Sequence, residues 1–196
     1  MTAHTADIDG SIAIADRHGV GVRPSAASLL EYDLTVIARG AQDVVRAAGG
    51  WLCDRVRAGW KVSVFTGTAD APAAAGVLGV RVLPADADPV GLVRSTSAAL
   101  AISAELLDAD QVLRAEVLRA VDRCGVELTV WGATPAGFLA GRMTTTRHQL
   151  SGAARAFKSQ ALAAAGSAGA VADLVEEFRS CGLWYPPEGP DLTPVG

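Results

Sequence analysis

Short apolar runs alternate with amphipathic segments from about residue 34 onward. The runs hold four to six residues and are rich in valine, isoleucine and leucine, which is typical of strands buried in a sheet. They predict five strands, at 34–38, 61–65, 80–83, 99–103 and 126–131. The run at 99–103 also contains two alanines that would suit a helix, so its assignment stays open.

The segments between these runs repeat apolar residues at helical spacing. The clearest predicted helices are 41–59, which Gly59 can end, and 110–125, which Asp110 can cap. A short helix is predicted to begin near Pro72 because proline is favoured in a first turn. These helices separate the predicted strands, as expected for crossover connections between parallel strands.

Two further helices are predicted after the last strand, at about 147–165 and 170–180. The first carries an apolar stripe at helical spacing that we expect to face a core. The stripe consists of Leu150, Ala154, Phe157, Ala161 and Ala164.

This order of elements predicts an α/β protein. We expect a mainly parallel sheet of about five strands with helices on both faces, as in Rossmann-like or flavodoxin-like three-layer architectures. The alternative is an α+β fold in which 99–103 is helical. Residues 24–181 are predicted to form a single domain, with a loose arm at 1–23 and an irregular tail rich in proline and glycine at 182–196.

Composition narrows the class of protein. Half of the residues are hydrophobic but only 5% are aromatic, so the core is expected to consist of alanine, valine and leucine. The fifteen arginines against two lysines suggest a bacterial genome of high GC content. The first residues resemble no signal peptide, and no apolar run reaches the length of a membrane helix. Three widely spaced cysteines, Cys53, Cys124 and Cys181, indicate neither a disulfide framework nor a metal site. We therefore expect a soluble cytoplasmic protein without a membrane partner.

The charges are segregated along the chain. The net charge is −4, yet residues 128–172 contain no aspartate or glutamate. That segment carries +4 from Arg142, Arg147, Arg155 and Lys158, so the rest of the chain carries −8. Such segregation indicates an anionic ligand or an acidic neighbour for the third quarter of the chain.

The start of the predicted helix at 147–165 is a candidate anion site. First turns carry partial positive charge and favour carboxylates, whereas this one carries threonines, an arginine and a histidine. The candidate residues are Thr145, Thr146, Arg147, His148, Ser151, Arg155 and Lys158. Two alternatives remain open, namely a solvated basic face and ion pairs with acids from elsewhere in the fold, such as Glu105 or Asp122.

Two loops that follow predicted strands are further candidates, because ligands of open parallel sheets bind at the carboxyl ends of strands. Their glycines allow close approach of the backbone, and their hydroxyl groups can hold phosphate or carboxylate. The candidates are Thr66, Gly67, Thr68, Asp70, Gly132 and Thr134. Helix capping by Asp70 and Thr134 is the simpler alternative. Neither loop matches a phosphate-binding or dinucleotide glycine pattern, so the sequence indicates no particular cofactor or metal.

Two functional interpretations follow. The absence of a catalytic motif favours a non-catalytic interaction or regulatory protein that binds a protein partner or forms a homo-oligomer. The alternative is a protein that binds, or an enzyme that acts on, a phosphorylated or carboxylated small molecule through the basic helix start and the strand-end loops. Nucleic-acid binding is disfavoured because the chain is acidic overall and has few aromatic residues.

Overall fold

A computed structural model describes residues 32–69, 72–124, 126–133, 137–139, 141–181 and 192–195. The strands in these ranges are β1 (Asp33–Ile37), β2 (Lys61–Phe65), β3 (Arg81–Val82), β4 (Ala99–Ser103), β5 (Glu127–Trp131), β6 (Thr144–Gln149), β7 (Val175–Cys181) and β8 (Thr193–Pro194). The helices are α1 (Ala41–Arg57), α2 (Pro72–Leu78), α3 (Pro89–Ser95), α4 (Ala104–Ala109), α5 (Gln111–Cys124) and α6 (Gly152–Ala164). The predicted arm at 1–23, residues 182–191 of the predicted tail, Asp70 and Thr134 lie outside the described residues.

The strands form one mixed sheet in the order β3-β2-β1-β4-β5-β7-β6-β8. The first five strands of the chain run parallel, and Val36 of β1 lies between Val64 of β2 and Ala101 of β4. The last three strands run antiparallel to their neighbours, with Thr129 of β5 opposite Ser180 of β7. The prediction of an α/β protein is confirmed. The expectation of a mainly parallel sheet of about five strands is wrong, because the described sheet is mixed and has eight strands.

Helices cover both faces of the sheet and enclose two cores. Helices α1, α2 and α6 pack on one face, around the fully buried side chains of Trp51 and Leu52. Helices α3, α4 and α5 pack on the other face, around Leu107 and Leu113. Strands β1, β2, β4 and β5 each contribute residues to both cores, which explains why their sequences are predominantly apolar.

The segment 99–103 is a strand. All five residues of β4 are buried, because β4 lies between β1 and β5 and is covered on both faces. Its alanines reflect this close packing. Helix α4 follows at once, so residues 104–107 are helical. The α+β alternative is therefore wrong.

The segment predicted as one helix at 147–165 is instead a strand followed by a helix. Residues 144–149 form β6, and α6 begins only at Gly152. The inward side chains of β6 belong to Thr146 and His148, so the strand has no apolar alternation to reveal it. The helical stripe also shifts, since Phe157 is 42% exposed whereas Lys158 is buried.

The predicted helix at 170–180 is also wrong, because residues 175–181 form β7. Its inward positions at the middle of the strand are Glu176, Phe178 and Ser180, of which two are polar. A polar residue at an inward position hides the two-residue period that identifies a strand. In the described part of the segment predicted as an irregular tail, Thr193 and Pro194 pair with β6. No helix among the described residues is long and apolar enough to cross a bilayer.

Candidate functional site

The predicted anion-binding residues do not form one site. Thr145, Arg147 and Arg155 are exposed, whereas Thr146, His148 and Lys158 are buried beneath them. Carboxylates of the protein itself already pair with three of these residues. Arg147 Nε lies 2.8 Å from Glu177 Oε1, His148 Nε2 lies 2.9 Å from Asp54 Oδ2, and Lys158 Nζ lies 2.6 Å from Glu176 Oε1.

Asp54 of α1 is the anion at the start of α6. Ser151 donates its backbone N–H (3.1 Å) and its hydroxyl (2.6 Å) to the two carboxylate oxygens, while its Oγ accepts from Ala154 N. Burial works to raise the pKa of Asp54, but the hydrogen bonds from Ser151 and His148 outweigh it and hold that pKa below its usual value. The carboxylate that the sequence led us to expect at a helix start is therefore an internal one.

The second internal anion is Glu176 of β7, which binds the middle of α1. The carboxylate of Glu176 accepts the backbone N–H groups of Gly50 (2.8 Å) and Trp51 (2.7 Å). Lys158 Nζ donates to the carbonyl of Arg46 (2.7 Å), the usual helical partner of the Gly50 amide. Burial raises the pKa of Glu176 above its usual value, against the opposing effects of Lys158 and the two amides. The pair thus links α6 and β7 to the middle of α1.

An acidic residue from another part of the fold also pairs with the acid-free segment 128–172, which is one of the alternatives that the sequence left open. Asp122 of α5 pairs with Arg142 at 2.6 Å, on the surface of the protein. Glu105 instead pairs with Arg39, which lies outside the acid-free segment.

The strand-end loops lead to a different place, a cleft of about 520 Å³ at the carboxyl ends of β1, β2 and β4. In the sheet, β2 and β3 lie on one side of β1, and β4 and β5 lie on the other side. The cleft therefore lies where the direction of strand addition reverses, which is where open α/β sheets bind ligands. Its lining residues are Ile37, Ala38, Arg39, Phe65, Thr66, Gly67, Pro89, Leu106, Asp110 and Leu113.

Two of the predicted loop residues, Thr66 and Gly67, line this cleft, and Thr68 lies beside them. The Thr66 hydroxyl donates to the Thr68 carbonyl (3.0 Å), and the Thr68 hydroxyl lies 3.3 Å from the Thr66 hydroxyl. Gly67 has a φ of 68°, which a glycine adopts without strain. Gly132 follows β5 and does not line the cleft.

Arg39 provides the positive charge of the cleft. Its guanidinium pairs with Glu105 of α4, and both side chains are more than half exposed. Asp110 is the carboxylate in the lining, and its Oδ1 caps α5 by accepting from Val112 and Leu113. The ion pair at the mouth can therefore open without exposing a buried charge.

The start of α1 follows Arg39 in the chain. Gly40 is the N-cap of α1, and the first turn of the helix carries the carboxylate of Asp43. That carboxylate accepts from the Arg39 amide (3.2 Å) and from Trp131 Nε1 (3.2 Å), so it offsets the partial positive charge of the helix start. Among the residues that the structure describes, no group of three or more histidine, cysteine, aspartate or glutamate side chains could hold a metal ion.

Arg39, Glu105 and Asp110 were not among the predicted site residues. The loop candidates were predicted from glycines and hydroxyl groups, and the segment after β1 has a single glycine. The available signal was position, because Arg39 and Glu105 come within two residues of the ends of β1 and β4.

Comparisons with known proteins extend this picture. No protein family and no curated protein matches the sequence. A solved deacetylase in complex with teicoplanin, from the biosynthesis of that compound, superposes with a TM-score of 0.53 at 15% identity, over 76% of this chain and 97% of the other. The chain resembles a deacetylase in its fold. At this identity, the similarity shows the fold and leaves the substrate open.

Two related structures match less closely. A triple mutant of a deacetylase in the teicoplanin pathway gives a TM-score of 0.49 at 18% identity, over 69% of this chain and 82% of the other. The A40926 pseudoaglycone deacetylase gives 0.46 at 16% identity, over 68% and 81%.

The preferred functional interpretation from the sequence has to be corrected. We expected a non-catalytic interaction or regulatory protein because the sequence contains no catalytic motif. The solved structure that shares the fold is an enzyme that acts on a small molecule, which contradicts that interpretation. A motif search cannot recognise an active site whose residues meet only through the fold.

Proposed function

We propose that the protein binds a carboxylated or phosphorylated small molecule in the cleft at the carboxyl ends of β1, β2 and β4. The observation that carries this proposal is the position of Arg39, which lines the cleft at the reversal of strand order. The order of the five parallel strands supports a Rossmann-like arrangement for this half of the sheet.

The cleft offers each part of such a ligand a matching surface. Arg39 can give two parallel N–H donors to a carboxylate or phosphate. Phe65, Leu106 and Leu113 provide apolar walls for the carbon skeleton. Glu105 competes for Arg39, so binding requires the ligand to displace this exposed carboxylate.

The test is a thermal-shift screen with sugar phosphates, nucleotides and dicarboxylates, followed by calorimetry of each hit. We expect Arg39→Ala to weaken binding at least about tenfold, because a charge-assisted hydrogen bond is lost. Glu105→Gln should strengthen binding, because it removes the competing charge. Arg147→Ala is the matched control, since Arg147 is an exposed arginine with a carboxylate partner at a different place. Binding that survives in Arg39→Ala would refute the proposal.

A second candidate function is hydrolysis of an acyl group on that same molecule. It is supported by the fold shared with the teicoplanin deacetylase and by the carboxylate of Asp110 in the cleft. Incubation of the protein with N-acetylated sugar phosphates, followed by measurement of released acetate, tests it. Release that Arg39→Ala abolishes supports hydrolysis in the cleft, and release unchanged in that variant contradicts it.

A further inference from the structure

Three arginines converge on a single carboxylate on the outer surface of α3 and α5. Glu116 Oε2 lies 2.8 Å from Arg119 Nη1 and 3.4 Å from Arg94, while Glu116 Oε1 lies 3.0 Å from Arg123 Nη2. Arg123 Nε also donates to the Arg119 carbonyl (3.2 Å), which fixes its direction. We call these four residues the arginine cluster.

The arginine cluster is open to solvent, although its carboxylate is not. Glu116 exposes 4% of its side chain, whereas Arg94, Arg119 and Arg123 expose 59%, 61% and 57%. The three arginine side chains therefore shield Glu116 from solvent. Burial works to raise the pKa of Glu116, but the hydrogen bond from Arg119 and the charges of all three arginines hold it below its usual value. Glu116 is thus ionised at neutral pH.

The charges of the arginine cluster do not balance. Three guanidinium groups share one carboxylate, so the cluster carries an excess of two positive charges. The neighbouring carboxylate on α5, Asp122, is already paired with Arg142. Each guanidinium has five N–H donors, and the contacts with Glu116 use only some of them. The arginine side chains are exposed, so their remaining N–H donors are accessible to a ligand, and the contacts with Glu116 already order them.

The arginine cluster is separate from the cleft. Asp110 and Leu113, at the start of α5, line the cleft. Arg123 lies at the other end of α5, about 20 Å from Asp110 at a helical rise of about 1.5 Å per residue. None of the four residues of the cluster lines the cleft, so the two sites can be tested with separate variants.

We propose that the arginine cluster binds the phosphate group of a phosphate monoester. At neutral pH such a group carries about −1.5 to −2 charges, which matches the excess of the cluster. Planar guanidinium groups bind phosphate oxygens through paired N–H donors, and the arginines here come from two different helices. Because Glu116 holds them in place before binding, the ligand orders few side chains, which favours affinity.

The experiment uses the Arg39→Ala variant of the full chain, so that the cleft makes no contribution. Inorganic phosphate, glycerol phosphate and a phosphoserine peptide are titrated in turn, and the arginine Nε–H signals are followed by NMR. Sodium chloride at equal ionic strength and the unphosphorylated peptide are the negative controls. The three phosphate probes distinguish free phosphate, a small ester and a modified protein as the source.

We expect saturable binding that Arg119→Gln with Arg123→Gln weakens at least about tenfold. Arg142→Gln is the matched control, because Arg142 is an exposed arginine paired one-to-one beside the cluster, and its loss should change nothing. Should the double variant fail to fold, Arg94→Gln serves instead, since Arg94 has the longest contact with Glu116. Binding that these variants leave intact, or that chloride reproduces, would overturn the proposal, whatever the behaviour of the cleft.

Discussion

The two adjacent glycines in the middle of α1 provide a sharp test of the packing of α1 against Leu150, which follows β6, and against Glu176 of β7. A Cβ atom at Gly50 would overlap the Cγ and Cδ2 atoms of Leu150 and lie 3.2 Å from Glu176 Oε1. A Cβ atom at Gly49 would make only ordinary contacts, the nearest at 3.4 Å from Val45 Cγ1. We therefore predict that alanine at these neighbouring positions has opposite effects on the free energy of unfolding.

The magnitude follows from two contributions. Alanine is favoured over glycine inside a helix by about 1 kcal/mol, and both substitutions share this gain. Gly50→Ala also forces an overlap in a packed core, which costs about 1–3 kcal/mol. Leu150 is 5% exposed and has little room to move away. Gly49→Ala should thus stabilise the protein by up to about 1 kcal/mol, and Gly50→Ala should lie about 1–3 kcal/mol below it.

Urea denaturation followed by tryptophan fluorescence measures the difference, since Trp51 is fully buried next to the substitution. With a slope of about 2 kcal/mol per molar urea, a difference of about 2 kcal/mol separates the two midpoints by about 1 M. Leu150→Ala supplies the control. In that background the overlap is gone, so adding Gly50→Ala should no longer destabilise the protein. Equal midpoints for Gly49→Ala and Gly50→Ala would refute the packing described for this helix.

Three further substitutions test the polar contacts and the altered helical stripe. Asp54→Asn removes a carboxylate whose pKa is held below its usual value. That stabilisation is fully present above the ordinary aspartate pKa of about 4 and is lost as the pH falls through the lower pKa of the folded state, so wild type and variant should converge in urea denaturation as the pH is lowered below about 4; a constant gap would contradict the pairing. Lys158→Met leaves Glu176 buried without its cation and should cost about 3–5 kcal/mol at neutral pH, measured in the same way. The cost should shrink on acidification as Glu176 gains a proton, and a cost that does not depend on pH would argue against an ionised pair. Phe157→Gln should change the free energy of unfolding by no more than about 0.5 kcal/mol, because this side chain is largely exposed, whereas the predicted apolar stripe required a loss typical of a buried aromatic residue.

The parallel half of the sheet could be predicted because its strands are buried on both faces. The run at 99–103, for example, is apolar at four of five positions, and the structure buries all five. Because such a strand is buried on both faces, its own sequence is an apolar run, and this run identifies the strand without information from the rest of the chain. The predicted runs at 61–65 and 99–103 coincide with β2 and β4, and the others differ by one or two residues at their ends.

The antiparallel half could not be predicted, because most of its inward residues are polar and find their partners far along the chain. His148 needs Asp54 of α1, and Glu176 needs Lys158 of α6 together with the amides of α1. Such pairs exist only once the fold brings the segments together. The run of threonines at 144–146, whose β-branched side chains favour strands, was the local signal that β6 did provide.

For the candidate site, sequence reasoning named strand-end loops, and two of their residues line the cleft, but it did not name Arg39. Thr66 and Gly67 line the cleft as residues that follow β2, in agreement with the rule for strand ends. Arg39 belongs to no sequence motif. Its pairing with Glu105 depends on the strand order, which brings β4 and the following Glu105 beside β1. Local sequence does not encode that order.

The two strands that end the described sheet contain only two residues each. β3 offers the pair at 81–82, and β8 ends at Pro194, which has no N–H group to donate to a further strand. An exposed sheet edge is a template on which another chain can add a strand, and short edges with proline or charged residues resist this. Arg81 contributes such a charge on β3. The two short edge strands therefore protect the longer strands between them against intermolecular β-sheet growth and aggregation.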